Sequence, residues 1–153
     1  MVTVAEKKDI ADYVGFEPEP THWFTVTQDQ INQFADCTLD HQYIHIDPAK
    51  AKDSPFGSTI AHGFLSLSML SHFSESYSVL IDGAYMGINY GFDKVRFIAP
   101  VKVNSRIRAV PRIIDITEKK PGHYQFRTEV IVEIEGSDKP AMTVDWLTVQ
   151  MVA

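Results

Sequence analysis

Four ionisable side chains crowd one short stretch of this sequence: Asp40, His41, His45 and Asp47. A carboxylate and an imidazole five residues apart, Asp40 and His45, can hold one water between them. The carboxylate orients the water, and the imidazole takes its proton near neutral pH. Spacing alone does not decide for such a dyad, because an aspartate and a histidine meet at this separation often by chance. A metal reading competes, since His41 and His45 have helical His-x-x-x-His spacing with Asp40 and Asp47 adjacent. Pro48 and the irregular run around it disfavour a regular helix there, no third ligand of obvious placement follows, and no metal is assigned. Further on, His62-Gly63 opens a long apolar run. The first N–H groups of a helix lack internal partners and carry the positive end of its dipole, so a glycine there lets a carbonyl oxygen approach as in an oxyanion hole. The same glycine serves equally well to permit close packing, and His62 reads as a hydrogen-bonded structural residue. His22, His72 and His123 have no evident partners in the sequence.

The elements that must position these groups can be read from pattern. Thr27-Gln28-Asp29-Gln30 fits a capping box, and Ile31, Phe34 and Ala35 follow at i, i+3, i+4, which predicts a helix from Thr27 to about Cys37. Cys37 is expected as a small buried residue of that helix rather than a nucleophile. Residues 38–58 form a long irregular connection, of the kind that often carries function. From Gly63 to about Leu80 the sequence has no broad polar face, which predicts a helix buried all round and ended by Asp82-Gly83. Its serines let neighbours approach and can return their hydroxyls to the preceding turn. Strands follow over Tyr85–Pro100, Val103–Ile114, Tyr124–Ile134 and Met142–Val149, with Pro121-Gly122 as a turn. One buried helix followed by a meander of long strands suggests an α+β hot-dog fold, an antiparallel sheet wrapped around the helix. The alternative is an open sheet with the helix on one face.

Composition bounds the rest. The chain has 153 residues, 44% of them hydrophobic and 22% charged, and reads as a single domain over 1–153 with residues 1–20 packing on it through Val14 and Phe16. The net charge of −6 argues against nucleic-acid or anionic-membrane partners. A mild basic cluster, Lys94, Arg96, Lys102, Arg106, Arg108 and Arg112, reads as a strand's solvent face or as an attractor for an anionic ligand. The lone cysteine cannot form an internal disulfide. No stretch approaches the ~20 apolar residues of a membrane span, and the first ten residues lack a hydrophobic region, so a cytoplasmic location is expected.

The segment Asp40-His-Gln-Tyr-Ile-His45-Ile-Asp-Pro resembles the hydratase motif of the MaoC-like, (R)-specific enoyl-CoA hydratases, Asp-aromatic-Asn-Pro-Leu/Ile-His-x-Asp. Pro55-Phe-Gly-Ser-Thr-Ile-Ala-His62-Gly63 resembles the family's entry into its central helix, and Met86 to Phe97 with Pro100-Val resembles the following strand of the nodulation-protein-N-like branch. The resemblance covers residues 10 to 115. It implies a hot-dog homodimer that adds water to a trans-2-enoyl-CoA to give an (R)-3-hydroxyacyl-CoA, without a cofactor beyond the coenzyme A of the substrate. It further implies that Asp40 and His45 activate the water and that the Gly63 N–H receives the thioester oxygen. Gln42, Tyr43, Phe56, His62, Phe64 and Tyr90 are the candidate substrate-binding residues, with Leu67 a further candidate for the acyl tunnel. Leu39 stands where members often have glycine, which implies a local difference in backbone. Two other readings share the fold: a thioesterase, in which water attacks the carbonyl and frees the thiol, and a non-catalytic acyl-thioester-binding protein.

Overall fold

The computed structural model describes residues 2–153. Its frame is a five-stranded antiparallel sheet in the order β2 (Phe24–Thr25), β5 (Arg106–Lys120), β6 (His123–Ile134), β7 (Met142–Val152), β4 (Ala84–Phe97). β6 alternates as its sequence demands, with Tyr124, Phe126, Thr128, Val130 and Val132 buried on one face. β7, apolar on both sides, is an inner strand between β6 and β4. The sheet curls around a central helix, α4 (Gly63–Tyr77), giving the hot-dog fold. Leu65, Leu70, Phe73 and Tyr77 of the helix pack with Val130, Val132, Val144 and Trp146 of the sheet. Each fully buried aliphatic side chain of such a core contributes about 1.5–3 kcal/mol. Three register shifts against β7 interrupt β4, between Ala84 and Met86, Asn89 and Gly91, and Phe92 and Lys94.

Several expectations need correction. The central helix stops at Tyr77, and Val79–Ile81 is a separate strand, β3, paired in parallel with β1 (Thr3–Ala5). Asp82-Gly83 therefore turns β3 into β4, with Gly83 at φ +80°. α4 is not buried all round, because Phe64, Ser68, Ser71, His72 and Glu75 are exposed. Three of its serines do bond back to their own helix, Ser68 to Phe64, Ser74 to Ser71 and Ser76 to Phe73. Near the N-terminus, Val14 and Phe16 are 46% and 38% exposed, the Gly15 N–H and the Phe16 carbonyl hydrogen-bond Ile113 of β5, and Ala5 and Ile10 join Val79, Ile81, Ile113 and Phe126 in a satellite core. Helix α1 (Gln28–Thr38) buries Ile31 and Ala35, but Cys37 faces solvent. Thr27 caps α1 by accepting from the Gln30 N–H at 3.2 Å, whereas the Gln30 side chain lies against Met69 Sδ rather than completing the box. Half of the basic cluster is neutralised: Arg106 pairs with Glu135, Arg108 with Glu133 and Arg112 with Glu17. Among the described residues no helix is long and apolar enough to cross a membrane.

Candidate active site

The connection after α1 is more ordered than its sequence suggests. Leu39, 80% exposed, adopts the left-handed conformation at φ 63° that usually terminates a helix through glycine. The backbone geometry of a glycine is thus retained with a side chain that resists it. The chain then turns through Asp40 into a single turn of helix, α2 (Tyr43–Ile46), with Gln42 at its N-cap. Pro48 starts a second single turn, α3 (Pro48–Ala51), where its missing N–H is harmless. Asp47 caps that turn by accepting from the Lys50 N–H at 3.0 Å, so its role is structural. Ala51, fully buried, anchors the pair of turns.

α2 delivers His45 inward to 6% exposure. Its Nδ1–H donates to the Ile60 carbonyl at 2.7 Å. A carbonyl can only accept, so the neutral ring keeps its lone pair on Nε2, the atom a general base needs. Burial lowers the His45 pKa below its ordinary value. The bond to Ile60 and the Asp40 carboxylate oppose that shift, while His62 adds to it. His45 is therefore held neutral. The loop carbonyls behind it are braced as well: Gln28 Nε2–H donates to the His45 carbonyl at 2.7 Å, and the buried Thr59 hydroxyl donates to Gln28 Oε1 at 2.5 Å. The sequence offered Gln28 only as the residue after a cap, and its second function is visible only in three dimensions.

His62, 2% exposed, stacks on His45 with ring centroids 3.8 Å apart and an interplanar angle of 23°. Its Nε2–H donates to the Asp40 carbonyl at 3.0 Å, and its buried Nδ1 has no partner among the described residues. His62 is thus more than a packing residue, since it fixes the backbone of one candidate catalytic group and the ring of the other. Ligand atoms of Asp40, His45 and His62 lie within 4.8 Å of one another. That separation suits a water shared between the Asp40 carboxylate and His45 Nε2. It suits a metal poorly, because each lone pair lies in its own ring plane and stacked rings cannot both aim at one ion. The His41–His45 ligand pair does not form, as exposed His41 bonds Asp36 at 2.9 Å instead.

His62 is also the N-cap of α4 and offers no side-chain cap. The Leu65 and Ser66 N–H groups donate back to the His62 carbonyl, while the Gly63 N–H precedes any intrahelical acceptor and stands at the positive end of the dipole. A Cβ at Gly63 would stand 3.0 Å from the Phe97 ring, so glycine keeps this approach open. Beside it lies a cavity of about 240 Å³ walled by Phe56, Gly63, Ser66 and Phe97. A second cavity, of about 300 Å³, lies beneath the C-terminal half of α4. Of the other candidate binding residues, Gln42 is exposed and its N–H reaches Asp40 Oδ1 at 3.4 Å. Tyr43 lies under Lys50, with Nζ 4.6 Å from the ring centroid. Phe64 and Tyr90 are 67% and 66% exposed. Tyr43, Phe64 and Tyr90 line neither cavity, and Leu67 packs against the core.

Residues 9–134 match the family model of the MaoC like domain. The chain is 42% identical over 146 residues to the 3-hydroxyacyl-thioester dehydratase Z of Mycobacterium tuberculosis, covering 95% of each. It is 44% identical over 142 residues to Nodulation protein N of Rhizobium meliloti, covering 92% of this chain and 88% of that one. Among solved structures, an (R)-hydratase from A. caviae involved in PHA biosynthesis superposes with a TM-score of 0.73, covering 92% of this chain and 96% of that one. At 21% identity, that last likeness is one of fold.

Proposed function

Because this chain belongs to the MaoC-like dehydratase family, a family of hydro-lyases, we propose that it hydrates trans-2-enoyl-CoA to (R)-3-hydroxyacyl-CoA and runs the reverse dehydration. The observation that carries the reading is the state of His45: its pKa lowered by burial, its Nδ1–H committed to Ile60, and a ring nitrogen within 4.8 Å of an Asp40 carboxylate oxygen.

The steps follow from that geometry. A water held by Asp40 loses a proton to His45 Nε2 as its oxygen bonds to C3. The C2–C3 π electrons shift toward the thioester, and negative charge builds on its oxygen. The Gly63 N–H, at the positive end of α4, receives that charge, a donor worth about 3–4 kcal/mol in related sites. The proton on His45 returns to C2, which completes the addition of water. The chemistry calls for no redox group and no cofactor beyond the coenzyme A of the substrate.

We assign the assembly as a homodimer. β4 is an edge strand of 14 residues, and Tyr85, Met86, Ile88, Tyr90 and Phe92 stand exposed along it. An unpaired apolar edge of this length favours continuation of the sheet into a second copy. Light scattering after gel filtration should give twice the 17.3 kDa chain mass, and a monomer would remove the assignment. The same reading places the enzyme in the cytoplasm, in keeping with a chain whose lone cysteine forms no disulfide.

The test follows the enoyl-thioester absorbance and free thiol together, using crotonyl-CoA and a longer enoyl-CoA. Loss of the band without thiol supports hydration. Thiol release would transfer the protein to thioester hydrolysis. Binding without either signal would leave a non-catalytic thioester-binding protein.

A further inference from the structure

Two residues in the wall of the larger cavity carry buried polar atoms for which the described residues provide no partner. Tyr77 and Trp146 are 8% and 5% exposed, and both line the cavity. The Tyr77 hydroxyl and the Trp146 Nε1–H are buried without a hydrogen-bond partner among the described residues. A buried donor left unmade is costly, and native structures keep few of them. Trp146 Nε1 can only donate, and burial raises the Tyr77 pKa, so the phenol stays protonated and also presents a donor. The other polar residues of the wall are Asn89, Thr128, Thr148, three serines of the helix and its C-cap, and Gln150, whose amide is committed to Val79 and Ile81; the wall has no lysine, arginine, histidine or carboxylate. The wall therefore suits an uncharged oxygen and has no counter-ion for a charged one.

The cavity lies on the same side of α4 as the oxyanion donor. Gly63, Leu67, Ser71 and Ser74 follow one another at steps of four, four and three residues, which is a single helix face. Ser71 and Ser74 line the cavity, and Ser71 is exposed, so the cavity opens beside it. At 1.5 Å per residue, Ser71 stands about 12 Å and Tyr77 about 21 Å along the axis from Gly63. Serines on this stripe leave room for a chain to run, and Ser74 spends its hydroxyl on the Ser71 carbonyl.

We propose that this cavity seats the distal part of the acyl chain, and that the substrate carries there a neutral oxygen acceptor, a keto, ether or hydroxyl oxygen, which accepts from Tyr77 and Trp146. The proposal rests on the hydratase function above and narrows its substrate class. A plain hydrocarbon chain leaves both donors unmade, and an oxygenated chain satisfies them.

The experiment compares saturated, non-hydratable acyl-CoA thioesters by isothermal titration calorimetry. Dodecanoyl-CoA is set against analogues of the same length with a keto oxygen placed in turn at each carbon of the distal half. One position should bind roughly ten-fold tighter than the plain chain, the effect of one additional well-made hydrogen bond. Tyr77→Phe and Trp146→Phe should each erase most of that advantage while weakening the plain chain less. Equal or weaker binding of every oxygenated chain by the wild-type protein would overturn the proposal and would mean that solvent alone satisfies the two donors. That comparison needs no folded variant and no turnover. Loss of hydratase activity on crotonyl-CoA, by contrast, would sink the proposed reaction and leave the binding preference standing on its own.

Discussion

Gln28 and Thr59 form a brace behind the candidate base, and its energy can be worked from contacts. Gln28→Met keeps the length of the side chain but removes the donor to the His45 carbonyl, a loss of about 1 kcal/mol. It also leaves the Thr59 hydroxyl, 1% exposed, without its acceptor, at about 1–3 kcal/mol more. The single variant should therefore lose about 2–4 kcal/mol of stability. Thr59→Val removes one hydrogen bond and leaves only the half-buried Gln28 amide to be solvated, so it should cost about 1 kcal/mol. In the double variant no hydroxyl is left stranded. Its cost should fall short of the sum of the singles by about 1–2 kcal/mol, a coupling that distant sites do not show. Urea denaturation of the four proteins measures the cycle. The same Gln28 variant should lower kcat by roughly ten-fold to a hundred-fold, since displacing a catalytic group by about an ångström costs that much. Additivity within about 0.5 kcal/mol, or an unchanged kcat, would refute the brace.

Four further outcomes are expected. His45 must be neutral to act, and its pKa is depressed, so kcat/KM should be level above pH 6.5 and fall through one ionisation centred below 6.5. By linkage the unfolded chain binds that proton first, so stability should also decline as pH drops below 6.5 and recover as pH rises, and a pH-independent denaturation midpoint between pH 5 and 7 would contradict it. Gly63→Ala places a Cβ 3.0 Å from the half-exposed Phe97 ring, which can yield, so the melting temperature should hold within a few degrees while kcat falls; unchanged turnover would show that the thioester oxygen lies elsewhere. Leu39→Gly relieves a left-handed leucine that is 80% exposed, and should raise stability by about 0.5–1 kcal/mol in chemical denaturation, a loss instead meaning that the leucine side chain is used.

The fold was legible where one periodicity ran long enough to exclude the other. The alternation from Tyr124 to Val132 and the i, i+3, i+4 stripe of Ile31, Phe34 and Ala35 each specify an element without tertiary context. Ser78 to Ile81 was not legible, because a short apolar run after a helix fits a further helical turn as well as a strand, and only the pairing with Thr3–Ala5 decides it. The exposed face of α4 was hidden for a related reason, as an apolar side chain such as Phe64 reads as core from sequence and is 67% exposed in the fold. At the site, Asp40, His45 and Gly63 were marked by motif and by position before a helix. The stacking of His62 on His45 and the reach of Gln28 across 17 residues depend on distances that no local spacing encodes. Asp47 and His41 drew attention as ionisable groups and proved to serve a helix cap and a surface pair.

The most direct test of the account is the rate at which wild-type protein and His45→Gln consume the conjugated band of crotonyl-CoA, with free thiol monitored in the same cuvette. The wild type should bleach the band, release no thiol and yield the (R)-3-hydroxy product, and the variant, folded by circular dichroism, should be slower by about 10²–10⁴-fold. Thiol release, an (S) product, or a variant that keeps the wild-type rate would contradict a hydratase built on Asp40 and His45.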